Sequence, residues 1–346
     1  MAFIVKKIIS SASILIKRDA IFKILRPNPL GNFWNFTQNL YNKTISNFNL
    51  TYAGGQVDIN WGEESVNESI PNNTNISHTF GNTTQGISIL ARNGANITNI
   101  NCGVSSVPRL SGTVDISAFP NLQGFTCNSN DITALSGYAQ NSNLINVQFY
   151  NNKVTGPIPT LSGLTGLQTF ICQDNLLSGP IPALSGLTNL VDFRCKNNPL
   201  GGSIPSLSGL NNLQNFQCQI NSLVGSIPAL TGSPVLNTFL CDRNNLTGPI
   251  PSLNGLSAMQ DFRCHTNQLT NYAGGSVSNT LGNFQANSNQ LTSAAVNAIL
   301  AAFVTANKTT GTRVLNLGGV GNGAPTGQGI TDKATLISRG WTVTTN

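Results

Sequence analysis

Charged residues and histidines are scarce in this chain. Only 9% of its 346 residues are Asp, Glu, Lys or Arg, and His78 and His265 are its two histidines. The twelve carboxylates are scattered, and neither a glycine-rich phosphate loop nor a metal-ligand spacing is present. We therefore expect no catalytic residues, no cofactor and no bound metal.

Long hydrophobic runs are also missing. No stretch reaches the roughly 20 apolar residues that a membrane-spanning helix needs. The apolar segment at residues 8–16 is short, contains Ser10, Ser11 and Ser13, and ends without the small-residue cleavage pattern of a signal peptide. We therefore expect neither a membrane span nor a cleaved leader.

Cysteine is uncommon but regularly placed. Five cysteines lie at successive intervals of 23 residues, each with Leu or Met five positions before it, Phe two before it and Asn three after it. The cysteines of this series are Cys172, Cys195, Cys218, Cys241 and Cys264. A fixed period of this length indicates a repeat architecture in which each repeat stacks on its neighbours.

The repeat resembles the leucine-rich-repeat family, whose pattern is L-x-x-L-x-L/C-x-x-N-x-L. The G-x-I-P extension, as in Gly179 to Pro182, resembles the plant-type variant of that family. The resemblance implies an α/β-type solenoid with one parallel β-strand per 23-residue repeat. Weaker copies of the pattern extend the predicted solenoid to residues 96–291, about nine turns and about 40 Å at 4.8 Å per strand.

The repeated cysteine has a structural explanation. Phe and Cys are two positions apart on a predicted strand, so both point to the same inward face. Stacked strands lie about 4.8 Å apart, whereas a disulfide needs Cβ atoms about 3.8 Å apart. We therefore predict that all seven cysteines, including Cys102 and Cys127, are buried free thiols, and that the repeated Asn hydrogen-bonds the backbone of adjacent turns.

The two ends of the chain depart from the repeat. Residues 51–95 alternate apolar and polar residues as antiparallel strands do, and they resemble a PKD-like β-domain at Trp61, Gly62, His78, Thr79 and Phe80. Residues 292–346 predict an α/β cap with helices at 292–303 and 331–338 and strands at 314–317 and 341–344. Thr331 and Asp332 are expected to open the second helix, and Arg339 and Gly340 to close it.

The net charge is concentrated in residues 1–50. Seven basic residues against one acidic residue give this segment +6, the net charge of the whole chain. We expect it to be a docking arm that binds an acidic protein surface, with a membrane surface as an alternative. No aromatic-interleaved motif supports nucleic-acid binding. The arm's predicted contact residues are Lys6, Lys7, Lys17, Arg18, Lys23 and Arg26.

A candidate binding strip follows from the strand pattern. Residues that alternate with Phe and Cys point to the opposite, exposed face, where leucine-rich repeats usually engage ligands. An alternative is that this face is simply solvated. The predicted strip comprises Tyr150, Ile171, Gln173, Asp192, Arg194, Lys196, Gln217, Gln219, Leu240, Asp242, Asp261, Arg263 and His265.

Together these features favour a non-enzymatic surface protein. The low charge is similar to that of exported and viral surface proteins, and residues 324–346 resemble the ends of leucine-rich-repeat proteins from bacteriophages and bacterial surfaces. We expect a virion tail or head-fibre component in an oligomeric assembly, with other virion proteins at its arm and a host protein or glycan at its repeats. The alternative is a secreted bacterial surface adhesin.

Overall fold

The computed structural model describes residues 36–38, 44–54, 56–60, 67–69, 72–73, 76–79, 85–92, 96–103 and 109–346. The predicted contact residues of the docking arm lie outside these ranges, as do Trp61, Gly62 and Phe80 of the PKD-like pattern. The docking arm and the PKD-like domain therefore stay predictions.

The N-terminal strands are mainly antiparallel. Four of them form a sheet in the order β1-β6-β3-β4, while β2 pairs antiparallel with β5. The predicted boundary at residue 50 falls inside β2, where Leu50 is fully buried in the core. The strands are β1 (Phe36–Gln38), β2 (Thr44–Ala53), β3 (Gln56–Asn60), β4 (Asn67–Ser69), β5 (Ile76–Thr79) and β6 (Gln85–Arg92).

The main sheet carries the repeats. One strand from each turn pairs in parallel and in register with the next, as the 23-residue period predicts, and β2 pairs antiparallel with the first of them. Its parallel strands are β7 (Asn96–Asn101), β9 (Gly124–Thr126), β11 (Asn146–Gln148), β13 (Thr169–Ile171), β16 (Asp192–Arg194), β18 (Asn215–Gln217), β20 (Thr238–Leu240), β22 (Asp261–Arg263), β24 (Asn283–Gln285), β25 (Val314–Asn316) and β26 (Thr342–Thr344).

Further strands lie between those of the main sheet. They pair in parallel with their counterparts in adjacent turns and form three two-stranded sheets and one three-stranded sheet within the described part of the chain. These strands are β8 (Ser111–Asp115), β10 (Asp131–Ser136), β12 (Thr155–Gly156), β14 (Leu176–Leu177), β15 (Gly179–Pro180), β17 (Leu200–Gly201), β19 (Val224–Ser226), β21 (Asn245–Ile250) and β23 (Gln268–Tyr272).

Stacked phenylalanines form the centre of the core. From Phe170 to Phe284, successive rings lie 5.3–5.7 Å apart between centroids, with planes 12–17° from parallel. This spacing exceeds the roughly 4.8 Å between paired strands, so the main sheet lies on the inner side of the solenoid's curvature. All seven cysteines are buried and free, which confirms their predicted role.

The repeated asparagine joins adjacent turns. The Asn198 amide donates hydrogen bonds to the carbonyls of Cys172 (3.2 Å) and Cys195 (3.1 Å), and its oxygen accepts one from the Leu177 N–H (3.0 Å). Equivalent bonds recur at Asn152, Asn175, Asn244 and Asn267. Burial of these amides is therefore compensated by bonds to the preceding turn and to their own.

The C-terminal cap covers the last turn with two helices, α1 (Ser293–Ala306) and α2 (Gln328–Ser338). Phe303 of α1 contacts Phe284 edge-on at 5.4 Å and Trp341 at 5.1 Å, which closes the aromatic stack. The predicted start of α2 at Thr331 and Asp332 is wrong. The chain turns at Gly327, whose φ of 48° suits glycine, and the helix begins at Gln328.

Candidate ligand-binding face

The alternation of the main strands places the predicted strip on one face. On β16, Phe193 is fully buried, while Asp192 and Arg194 on either side of it are only partly buried. In-register pairing then aligns equivalent residues of successive turns, such as Asp192 with Asn215 and Arg194 with Gln217. We use Cys slot for the position two residues after the inward Phe, which Cys occupies in most turns. The residues directly before and after the inward Phe, together with the residue after the Cys slot, form an aligned surface that we call the strand face.

Two ion pairs lie along single strands of this face. Arg194 donates to both oxygens of Asp192, from Nε at 2.7 Å and from Nη2 at 2.6 Å. Arg263 does the same to Asp261, at 2.9 Å and 2.7 Å. The bond to Asp261 raises the pKa of the Arg263 guanidinium above its ordinary value. Each pair is thus locally neutral and held in a fixed, two-bond geometry.

The structure corrects the expected exposure of two strip residues. Leu240 is 8% exposed and Asp242 is 7% exposed, so neither projects freely into solvent. Asp242 lies beside His265 of the next turn, with Oδ2 3.4 Å from the imidazole Nε2. The neighbouring side chains in adjacent turns therefore cover the carboxylate.

Burial shifts the pKa of both members of this pair. Burial raises the pKa of the Asp242 carboxyl, and the charge interaction with His265 opposes that rise. Burial lowers the pKa of the His265 imidazole, while Asp242 opposes the fall. His265 is consequently neutral at pH 7.

Sequence reasoning missed part of the strand face. Asn146 accepts a hydrogen bond from Gln148 at 2.9 Å, and Asn283 accepts one from Gln285 at 3.0 Å while donating to Asp261 at 2.9 Å. These amide pairs occupy the positions taken by Asp and Arg on β16 and β22. The alternation around the inward residue was the signal that could have identified them.

Two acceptors on this face lack a partner. The Oε1 atom of Gln219 and the Oδ1 atom of Asn287 are buried and accept no hydrogen bond within the described residues. Both residues follow the Cys slot, in the same column as Asp242 and His265. An unfilled buried acceptor is costly, so these two positions carry an uncompensated desolvation cost.

A metal site and a membrane span each set requirements that can be compared with the described part of the chain. No group of three or more His, Cys, Asp and Glu side chains there could hold a metal ion. Over the same residues, no helix has both the length and the apolar character needed to cross a membrane.

Solved structures provide the comparisons for this fold. The chain is similar to the PEPR1–AtPEP1 structure, with 21% identity, coverage of 72% of this chain and 35% of that one, and a TM-score of 0.60. It is similar to the leucine-rich-repeat ectodomain of the Arabidopsis receptor kinase HAESA in complex with an N-terminally extended IDA peptide hormone ligand, with 22% identity, 62% and 36% coverage, and a TM-score of 0.50.

A third similar structure is the functional domain of InlJ from Listeria monocytogenes, which includes a cysteine ladder, with 22% identity, 64% and 49% coverage, and a TM-score of 0.43. The chain covers less than half of the length of each of these three. No protein-family model matches the sequence, and no curated protein matches it. The predicted leucine-rich-repeat solenoid is confirmed as the fold of this chain.

Proposed function

We propose that this protein is a non-enzymatic attachment protein of a bacteriophage particle, acting at the virion surface as a tail or head-fibre component. Its basic segment docks onto other virion proteins, and its strand face binds a host cell-surface protein or glycan. The observation that carries the proposal is the strand face itself, a row of polar side chains held in register on a rigid, repeated core.

The scaffold under the strand face supports a binding role. Phe, Cys and Asn recur in almost every turn, while the residue after the Cys slot changes from Gln173 to Lys196, Asp242 and His265. Variable side chains on an unchanging support are what a recognition surface requires. The similar HAESA ectodomain was solved with a peptide hormone ligand, and a solenoid of the same fold here offers a comparable surface.

Charge distribution supports the docking role of the N-terminal segment. All of the net charge lies in residues 1–50, and the remaining eleven basic residues balance eleven acidic residues. A concentrated positive charge favours an acidic protein surface as partner. Because β2 belongs to the main sheet, we place the docking function before Thr44.

Deletion of residues 1–35 tests the docking role without removing any described residue. We expect the full chain to copurify with phage particles on a density gradient, and the truncated chain to stay soluble and folded but absent from them. A wild-type level of the truncated chain in particles would contradict the docking role. Recovery of the native chain in the cell-envelope fraction, with a shortened N-terminus, would instead favour a secreted bacterial adhesin.

A further inference from the structure

The residues on either side of the inward side chain repeat every three strands. The order is an amide pair, then a Thr with an aliphatic residue, then an Asp–Arg ion pair, and the same order follows again. From β11 to β24 the pairs are Asn146 and Gln148, Thr169 and Ile171, Asp192 and Arg194, Asn215 and Gln217, Thr238 and Leu240, Asp261 and Arg263, and Asn283 and Gln285.

The solenoid does not need this order. From β13 to β22 the inward Phe, the Cys and the repeated Asn are the same in every turn, although the residues that flank the Phe differ. The order does not follow from copying a three-turn block either, because the residues after the Cys slot differ at the same 69-residue separation. Gln173 corresponds to Asp242, and Lys196 corresponds to His265. The three-strand order is therefore clearest in the columns beside the inward residue, at the centre of the strand face.

The spacing defines what kind of ligand fits. Paired strands are about 4.8 Å apart, so the two Asp–Arg pairs lie roughly 14 Å from one another along the sheet. A linear polymer with a chemical repeat of that length presents the same groups to both pairs, whereas the surface of a folded protein has no such period. We infer that the strand face binds a linear polysaccharide in register, one repeating unit to every three strands.

The chemistry of the face suits a neutral, hydroxyl-rich chain. The strip holds three acidic residues, Asp192, Asp242 and Asp261, against three basic residues, and His265 is neutral at pH 7. Arg194 and Arg263 are each paired with an Asp on their own strand, so neither contributes a net positive charge that would attract a polyanion. The remaining donors and acceptors of the two ion pairs can bind hydroxyl groups.

Each of the three kinds of flanking residue pair has a chemical counterpart in such a polysaccharide chain. The amide pairs and the Asp–Arg pairs offer hydrogen bonds to hydroxyl groups. Ile171 offers aliphatic contact to the C–H surface of a sugar ring, whereas Leu240 is only 8% exposed and offers little. This inference rests on the proposed binding function of the strand face and specifies its ligand.

The first experiment separates this inference from the proposed function. Fluorescently labelled full-length protein is added to host bacteria that have been treated with periodate, which destroys glycans, or with protease. We expect periodate to abolish binding and protease to leave it intact. Loss of binding after protease treatment alone would contradict the polysaccharide ligand but would agree with the proposed function. Failure to bind untreated cells would contradict both.

The second experiment tests the register. Polysaccharide extracted from those cells is cleaved into fragments of one and two repeating units, and binding to the full chain is measured by calorimetry. We expect two single units to bind per chain, and the double unit to bind once and about 100-fold more tightly, because its second contact is intramolecular. One site for the single unit, or equal affinity for both lengths, would overturn the inference.

Single substitutions in the two equivalent pairs sharpen the result. Arg194→Gln or Arg263→Gln should reduce the stoichiometry for the single unit from two to one and remove most of the gain for the double unit. Lys153→Gln, which removes an exposed positive charge in a turn away from the strand face, is the matched control and should change neither. Unchanged stoichiometry in both Arg variants, with melting temperatures equal to wild type, would contradict the register.

Discussion

Phe193 and Phe216, 23 residues apart in the chain, stack with their ring centroids 5.5 Å apart and their planes 12° from parallel. Both rings are fully buried, and the same contact recurs in the neighbouring turns. Each turn therefore covers the aromatic core of the next. Removing one ring in the middle leaves two neighbours without their partner.

We expect Phe216→Ala to destabilise the protein by roughly 3–5 kcal/mol, the cost of losing a buried ring and leaving a cavity. Gln217→Ala, one position along the same strand and on the strand face, is the matched control and should cost little. Urea denaturation followed by circular dichroism measures both. Equal losses in the two variants would mean that the assigned faces of the strand are wrong.

The cysteines should be unreactive in the folded protein. Burial raises the pKa of the thiols of Cys102, Cys172, Cys195, Cys218, Cys241 and Cys264, so little thiolate forms at neutral pH. We expect iodoacetamide at pH 8 to label none of the seven until urea unfolds the chain. Peptide mapping without reductant tests the opposite result. A disulfide between Cys172 and Cys195 would contradict the prediction that the cysteines are free thiols.

One position in each turn takes a left-handed backbone. The residue two after the Cys slot has φ between 52° and 60° in eight successive turns. Asn197 tolerates this conformation, whereas Ile220, with φ of 57°, is β-branched and strained there. We expect Ile220→Asn to stabilise the protein by about 1 kcal/mol. The reciprocal change, Asn197→Ile, should destabilise it, and a loss of stability in Ile220→Asn would refute the strain.

Acid should weaken the fold through His265. Because burial lowers the pKa of this imidazole below its ordinary value, the unfolded chain binds the proton more tightly than the folded chain does. The free energy of unfolding should therefore fall as the pH drops below about 6.5. Asp242, whose pKa is raised, acts in the opposite direction at lower pH, so the window of interest lies just below 6.5.

His265→Gln isolates this contribution. His78 is present in both proteins, so the difference between wild type and variant cancels its titration. Urea midpoints at pH 7.0 and 5.5 should fall more for wild type than for the variant. Identical pH dependence in the two proteins would show that His265 titrates as an ordinary surface histidine.

Much of the solenoid was readable from the sequence because its core residues recur at a constant interval. Spacing alone aligned Phe, Cys and Asn in successive turns and assigned them to strands and turns. The pairing of β2 with β7 was not readable, because an antiparallel contact between Leu50 and Ile100 depends on distant chain segments without a shared period. The start of α2 was missed because Gly327 turns the chain without a side-chain cap.

The candidate site was only partly predictable for a related reason. Alternation along a strand identifies which side chains face away from the core, and it placed Asp192 and Arg194 together correctly. It does not reveal how far neighbouring turns cover a residue, so the burial of Asp242 beside His265 emerged only from the structure.

The central claim is that the strand face is the surface that binds the host cell. Gln217→Trp, near the middle of that face, would obstruct a protein or a glycan alike. Leu176→Trp, at a position 52% exposed outside the main sheet, adds the same ring elsewhere and serves as the control. Flow cytometry of labelled full-length proteins on host bacteria should show binding lost in Gln217→Trp and kept in Leu176→Trp; wild-type binding by a folded Gln217→Trp protein would contradict the account.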